Sequence, residues 1–146
     1  MVSEHLSNHR SRGHGNFLSE VATGVYFRPG DMSRGQSNGG YIVCDDYVVA
    51  IEAPSPEASA EMLEEVKKLF DKPIKFLIIT HGHWDHDNGV AAFAEKGVTV
   101  ICSEDLRRRY VENGKVGSYI GITDRLTLQA FDIREHHLLV ASPSLV

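Results

Sequence analysis

Short apolar runs separated by polar, glycine-bearing segments recur along the chain from about residue 20. Glu20-Val21-Ala22-Thr23-Gly24-Val25-Tyr26-Phe27 predicts a strand and turn, and residues 28–39 a polar loop. Gly39-Gly40 leads into a strand at 41–44, Asp45-Asp46 makes a tight hairpin turn, and 47–52 returns. The pattern then changes period. Met62, Leu63, Val66, Leu69 and Phe70 recur at helical spacing, while Glu61, Glu64, Glu65, Lys67 and Lys68 fill the other face. Ser55 is a suitable N-cap with Pro56 at the first helical position, and Asp71-Lys72-Pro73 ends the helix. Residues 74–79 form an apolar run broken only by Lys75, which reads as a buried strand. A short helix over 88–96 closes at Gly97, and a strand follows at 98–102. Ser103 caps a helix to about Glu112, stopped by Asn113-Gly114, and 122–128 suggests a last strand. Alternating strands and helices without an internal repeat indicate an α/β (α+β) fold.

The chemistry concentrates at the end of the 74–79 run, in Thr80-His81-Gly82-His83-Trp84-Asp85-His86-Asp87-Asn88-Gly89. Imidazole nitrogen and carboxylate oxygen are ligand types for zinc. His81 and His83 project to one side of an extended loop, and Asp85 and His86 lie a turn further on. Two pairs facing two neighbouring metals is an easier geometry than one closed tetrahedral site. A solvated turn is the bland alternative, but four ligand-type residues this dense after a strand argue for metal. Trp84, the single tryptophan, is expected to pack under the loop rather than line a pocket.

This stretch resembles the His-x-His-x-Asp-His signature of the metallo-β-lactamase-fold hydrolases, carried here by His81, His83, Asp85 and His86 and followed by Asn88-Gly89. Val25-Tyr26-Phe27, residues 38–43 and residues 48–51 are similar to the opening strands of that family. The resemblance spans about residues 20–129, leaving 1–19 as a disordered tail and 130–146 as a divergent C-terminal tail. It implies a four-layer αββα sandwich of two similar halves, with a mixed sheet flanked by helices, of which this chain supplies the N-terminal half. It further implies that His81 and His83 hold a first zinc ion and Asp85 and His86 a second, iron and manganese being alternatives. Water acidified by the metal would attack an ester, thioester, lactam, lactone or phosphoester, with Asp85 as the catalytic residue. His83 argues against the di-iron electron-transfer branch, which usually has glutamate there. Related hydrolases often place an acidic residue, commonly Asp, at the end of the second strand of the hairpin. Glu52 matches it, a solvated strand end being the alternative.

The resemblance breaks down after about Gln129. The family's second half brings a histidine in a Gly-His-Thr-like turn, a bridging acid and a last histidine, and none of these motifs occurs here. His136 and His137 read as solvated terminal residues rather than replacement ligands, and the end has the look of a truncated or frameshifted product. A poor hydrolase, or an inactive metal-binding fragment, follows as the competing expectation. The sheet face left uncovered would then favour self-association.

Composition narrows the rest. The net charge of −5 with no basic face gives no reason to expect nucleic acid or an anionic membrane as partner. The absence of an apolar run of about 18 residues and a polar N-terminus make a cytoplasmic location the default. Cys44 and Cys102 follow apolar runs and read as free buried thiols. His5, His9 and His14 lack periodicity, and Arg107-Arg108-Arg109 reads as a solvated helix face. The small-molecule substrate is not legible.

Overall fold

A computed structural model describes residues 17–129 and 137–141. The expectations for His5, His9, His14 and His136 lie outside the described residues. Seven strands form one mixed sheet in simple chain order. β1 (Ser19–Ala22) and β2 (Val25–Arg28) turn at Gly24, whose φ of 72° is the left-handed conformation this hairpin needs. β3 (Gly39–Val43) and β4 (Val48–Ile51) continue antiparallel, with Tyr41 opposite Ala50. β5 (Ile74–Ile78), β6 (Thr99–Ser103) and β7 (Ser118–Ile122) then add in parallel to β4.

Parallel pairing requires crossovers, and helices supply them. α1 (Pro56–Phe70) links β4 to β5. Ser55 accepts from the Ala58 amide as its N-cap, as the local sequence predicts. α2 (Trp84–Asp87) and α3 (Val90–Ala94) link β5 to β6, and α4 (Glu104–Glu112) links β6 to β7 with Ser103 as its cap. Tyr41, Val48, Ala50, Leu77, Val100 and Cys102 on the sheet pack with Met62, Val66, Phe93, Leu106 and Tyr110 from the helices. The intervening strand residues point to the other face. There Val49, Ile101 and Ile122 meet Leu128, with Ile42, Phe76, Ile78 and Ile120 half-buried around them.

Two expectations need correction. The strand expected at 122–128 is two strands: β7 ends at Ile122, and β8 (Arg125–Gln129) leaves the sheet to pair antiparallel with β9 (His137–Ala141). Gly121 inside β7 and Gly117 just before it dilute the strand pattern, so only its pairing with β6 reveals it. The second half of the histidine-rich stretch, read as loop, is the single helical turn α2. Asp85 and Asp87 in this first turn suit the positive end of a helix.

Cys44 and Cys102 are free and buried, as expected, and burial pushes the Cys102 thiol up to about 11. Arg107 and Arg108 pair with Glu104 on the helix surface. No helix among the described residues is long and apolar enough to cross a membrane.

Candidate metal centre

The histidine-rich stretch emerges at the C-terminal end of β5, between the ends of β4 and β6. This is where parallel α/β sheets gather their loops. The chain following β4 grips it from both sides. The Glu52 amide donates to the Ile78 carbonyl at 2.9 Å, the Ala53 amide to His86 at 2.8 Å, and the Gly89 amide to Ala53 at 2.9 Å. The Ser37 amide reaches the Asp85 carbonyl at 3.3 Å from the β2–β3 loop.

Three imidazoles converge. The ring of His81 lies 4.6 Å from that of His83 and 4.0 Å from that of His86, centroid to centroid. His81 Nδ1 is 2.9 Å from Thr80 Oγ1. Asp85 Oδ2 approaches His86 Nε2 at 3.5 Å. Burial, then the neighbouring His86 and His83, lower the pKa of His81. That favours the neutral imidazole a metal requires. All four predicted site residues therefore lie in one cluster. Among the described residues, no three His, Cys, Asp or Glu side chains converge closely enough to hold an ion as they stand. The donor chemistry of the set nevertheless suits zinc, combining neutral imidazole with carboxylate.

Glu52 is not a solvated strand end. It is 3% exposed, and its backbone adopts a φ of 70°, in the left-handed region. One carboxylate oxygen accepts from the Thr80 amide at 3.2 Å, and the other lies 3.1 Å from His86 Nδ1. Burial raises its pKa, opposed by the Thr80 bond and by His86. A carboxylate here makes His86 Nδ1 the donor and leaves a lone pair on Nε2, on the Asp85 side of the ring. A non-glycine residue held in the left-handed region costs of order 1–3 kcal/mol. Such strain persists where the surroundings over-determine it. Glu52→Ala is expected to weaken zinc binding about 10–100-fold, as loss of an outer-shell partner does. Competition with a chromophoric chelator measures it, and an unchanged affinity would remove Glu52 from the site.

Two features were not legible in the sequence. Asp87 is 8% exposed and accepts from the Tyr110 hydroxyl at 2.7 Å. Burial, then Asp87, raise the Tyr110 pKa far above its ordinary value, so the hydroxyl stays a donor. Trp84 does not pack under the loop. It is 64% exposed and leans on Gly35, where an added Cβ would lie 2.5 Å from the indole. A one-turn helix beginning at Trp84 turns this side chain away from the core.

The comparison with known families decides the membership. The profile of the metallo-beta-lactamase superfamily matches residues 33–139. The chain belongs to the metallo-beta-lactamase superfamily. A linear primary-alkylsulfatase from Pseudomonas sp. (strain ATCC 19151) is 41% identical over 75 residues, which cover 47% of this chain and 14% of that protein. Among solved structures, a metallo-beta-lactamase from Pontibacter korlensis superposes with a TM-score of 0.65 at 23% identity, covering 77% of this chain and 55% of that one. One from Pseudomonas aeruginosa, solved in its mono-zinc form, gives 0.61 at 24% identity, covering 78% and 54%. These superfamily structures share the mixed sheet and flanking helices described above. The chain thus spans about half the length of these solved relatives and a small part of the alkylsulfatase.

Proposed function

We propose that this chain carries the metal-binding half of a zinc-dependent hydrolase centre. The carrying observation is the convergence of His81, His83 and His86, with Asp85 beside His86 and Glu52 beneath it. In this reading His81 and His83 hold one zinc ion, and Asp85 and His86 hold a second, iron or manganese being alternatives. Bound zinc supplies a Lewis acid for the scissile group and acidifies water to a nucleophile near neutral pH. The protein's own residues do the positioning. Thr80 fixes the His81 ring at Nδ1, and Glu52 fixes the His86 tautomer. The half-exposed Asp85 would both help to hold the ion and orient the attacking water. The substrate bond is an ester, thioester, lactam, lactone or phosphoester, and likeness to the alkylsulfatase adds alkyl sulfate esters.

The second reading is a catalytically inactive metal-binding fragment, favoured because among the described residues no three His, Cys, Asp or Glu side chains lie close enough to hold one ion together. A catalytic zinc has three protein ligands and an open position, whereas each pair here offers two. Slow turnover is therefore expected when the chain is assayed with zinc against short-chain alkyl sulfates, esters, thioesters, lactams and phosphodiesters. Turnover that needs zinc and disappears in Asp85→Ala supports the hydrolase. Zinc binding without turnover favours the fragment. Turnover that persists in Asp85→Ala and in chelator sinks the proposed centre.

A further inference from the structure

We propose that Asp87 and Tyr110 are positioning residues of the metal centre, their hydrogen bond setting the helical turn that presents Asp85 and His86. The inference rests on the reading of His81, His83, Asp85 and His86 as the ligand set. Asp85 and Asp87 are equivalent in composition and separated by one residue, but the helix parts them. Two residues along an α-helix is a rotation of about 200°. With Asp85 facing His86 Nε2, Asp87 faces the protein interior.

Its role there is directional. A buried carboxylate is costly unless hydrogen-bonded, and an apolar side chain would fill the same space without that cost. What an apolar side chain lacks is a bond with a preferred length and angle. The turn needs such a restraint because α2 is four residues long, far too short to be stable by itself. On its strand side it is held by Ala53 and Glu52, through the His86 carbonyl and ring. On its helix side the polar restraint is the Tyr110 hydroxyl at 2.7 Å. Tyr110 is a fixed anchor, 2% exposed, its ring 5.5 Å from that of Tyr119 and 4.5 Å below Lys115 Nζ. A rotation of about 20° on a lever of roughly 5 Å would move a ligand atom by about 2 Å, well outside the tolerance of about 0.5 Å for a preorganised site.

The test uses the full chain and zinc alone. Zinc affinity is measured by calorimetry for Tyr110→Phe, Asp87→Ala and Asp87→Asn, with thermal stability followed in parallel. Met62→Ala, which removes packing from the same core but no hydrogen bond, is the control for destabilisation alone. Tyr110→Phe keeps the ring and removes only the donor. It is expected to weaken zinc binding about tenfold, as loss of an outer-shell partner does, and so is Asp87→Ala. Asp87→Asn keeps an acceptor for the hydroxyl and is expected to recover most of the affinity. A second readout needs no metal: the nitrogen-15 signals of the His86 imidazole should shift in Tyr110→Phe and Asp87→Ala but not in Met62→Ala. If Tyr110→Phe is less stable yet keeps the parent's zinc affinity and His86 signals, the pair is merely structural and the proposal is overturned. If the parent chain shows no zinc uptake dependent on His81 and His83, the ligand reading fails. The imidazole signals then decide only whether the hydrogen bond sets the turn that carries His86, shifted signals supporting that and unchanged signals overturning it.

Discussion

Replacing His81 and His83 together by alanine is expected to abolish zinc uptake at the end of β5. Their rings lie 4.6 Å apart, and the His81 ring lies 4.0 Å from that of His86. Losing an outer-shell partner already costs about 10–100-fold in affinity, and removal of two ligands should exceed that. Metal analysis after dialysis, followed by calorimetric titration, measures the loss. Uptake equal to that of the parent would show that the ion binds elsewhere, with His5, His9 and His14 as the next residues to replace.

The largest effect on stability is expected from Gly89→Ala. An added Cβ there would overlap the Ser55 carbonyl and the Ser59 hydroxyl. Neither can yield easily. Ser55 caps α1, Ser59 is fully buried, and α1 is pinned to the sheet by Met62 and Val66. The Gly89 amide is also bonded to Ala53 at 2.9 Å, so the turn cannot swing away without releasing the segment beside Glu52. Overpacking against backbone belongs at the upper end of the usual range, about 3 kcal/mol. That corresponds to a fall in Tm of about 10 °C for a domain of this size. Thermal unfolding followed by circular dichroism measures it, and a Tm within about 2 °C of the parent would mean that α1 and the turn are less closely joined than described.

What the sequence disclosed follows the range of the forces involved. The bounds of α1 and the caps at Ser55 and Ser103 depend on residues within one turn, and they were legible. The position of the four candidate ligands was legible because they share one short stretch behind an apolar run. β7 was not legible, because Gly117 and Gly121 weaken its pattern and pairing with β6 creates it. The bond between Asp87 and Tyr110 spans 23 residues and depends on how α4 docks, which no local pattern records. Glu52 stood between these cases. Its place in the chain pointed to a role, but only the fold shows the left-handed backbone that brings its longer side chain back to His86 and Thr80.

Trp84 has a consequence of a different kind. It is the single tryptophan of the chain, it is mostly exposed, and it stands between His83 and Asp85. The indole emission of the whole protein therefore originates beside the candidate ligands. An ion, a proton or a substrate arriving there changes the field and the solvent around that one ring, so the protein carries a native optical reporter at its centre.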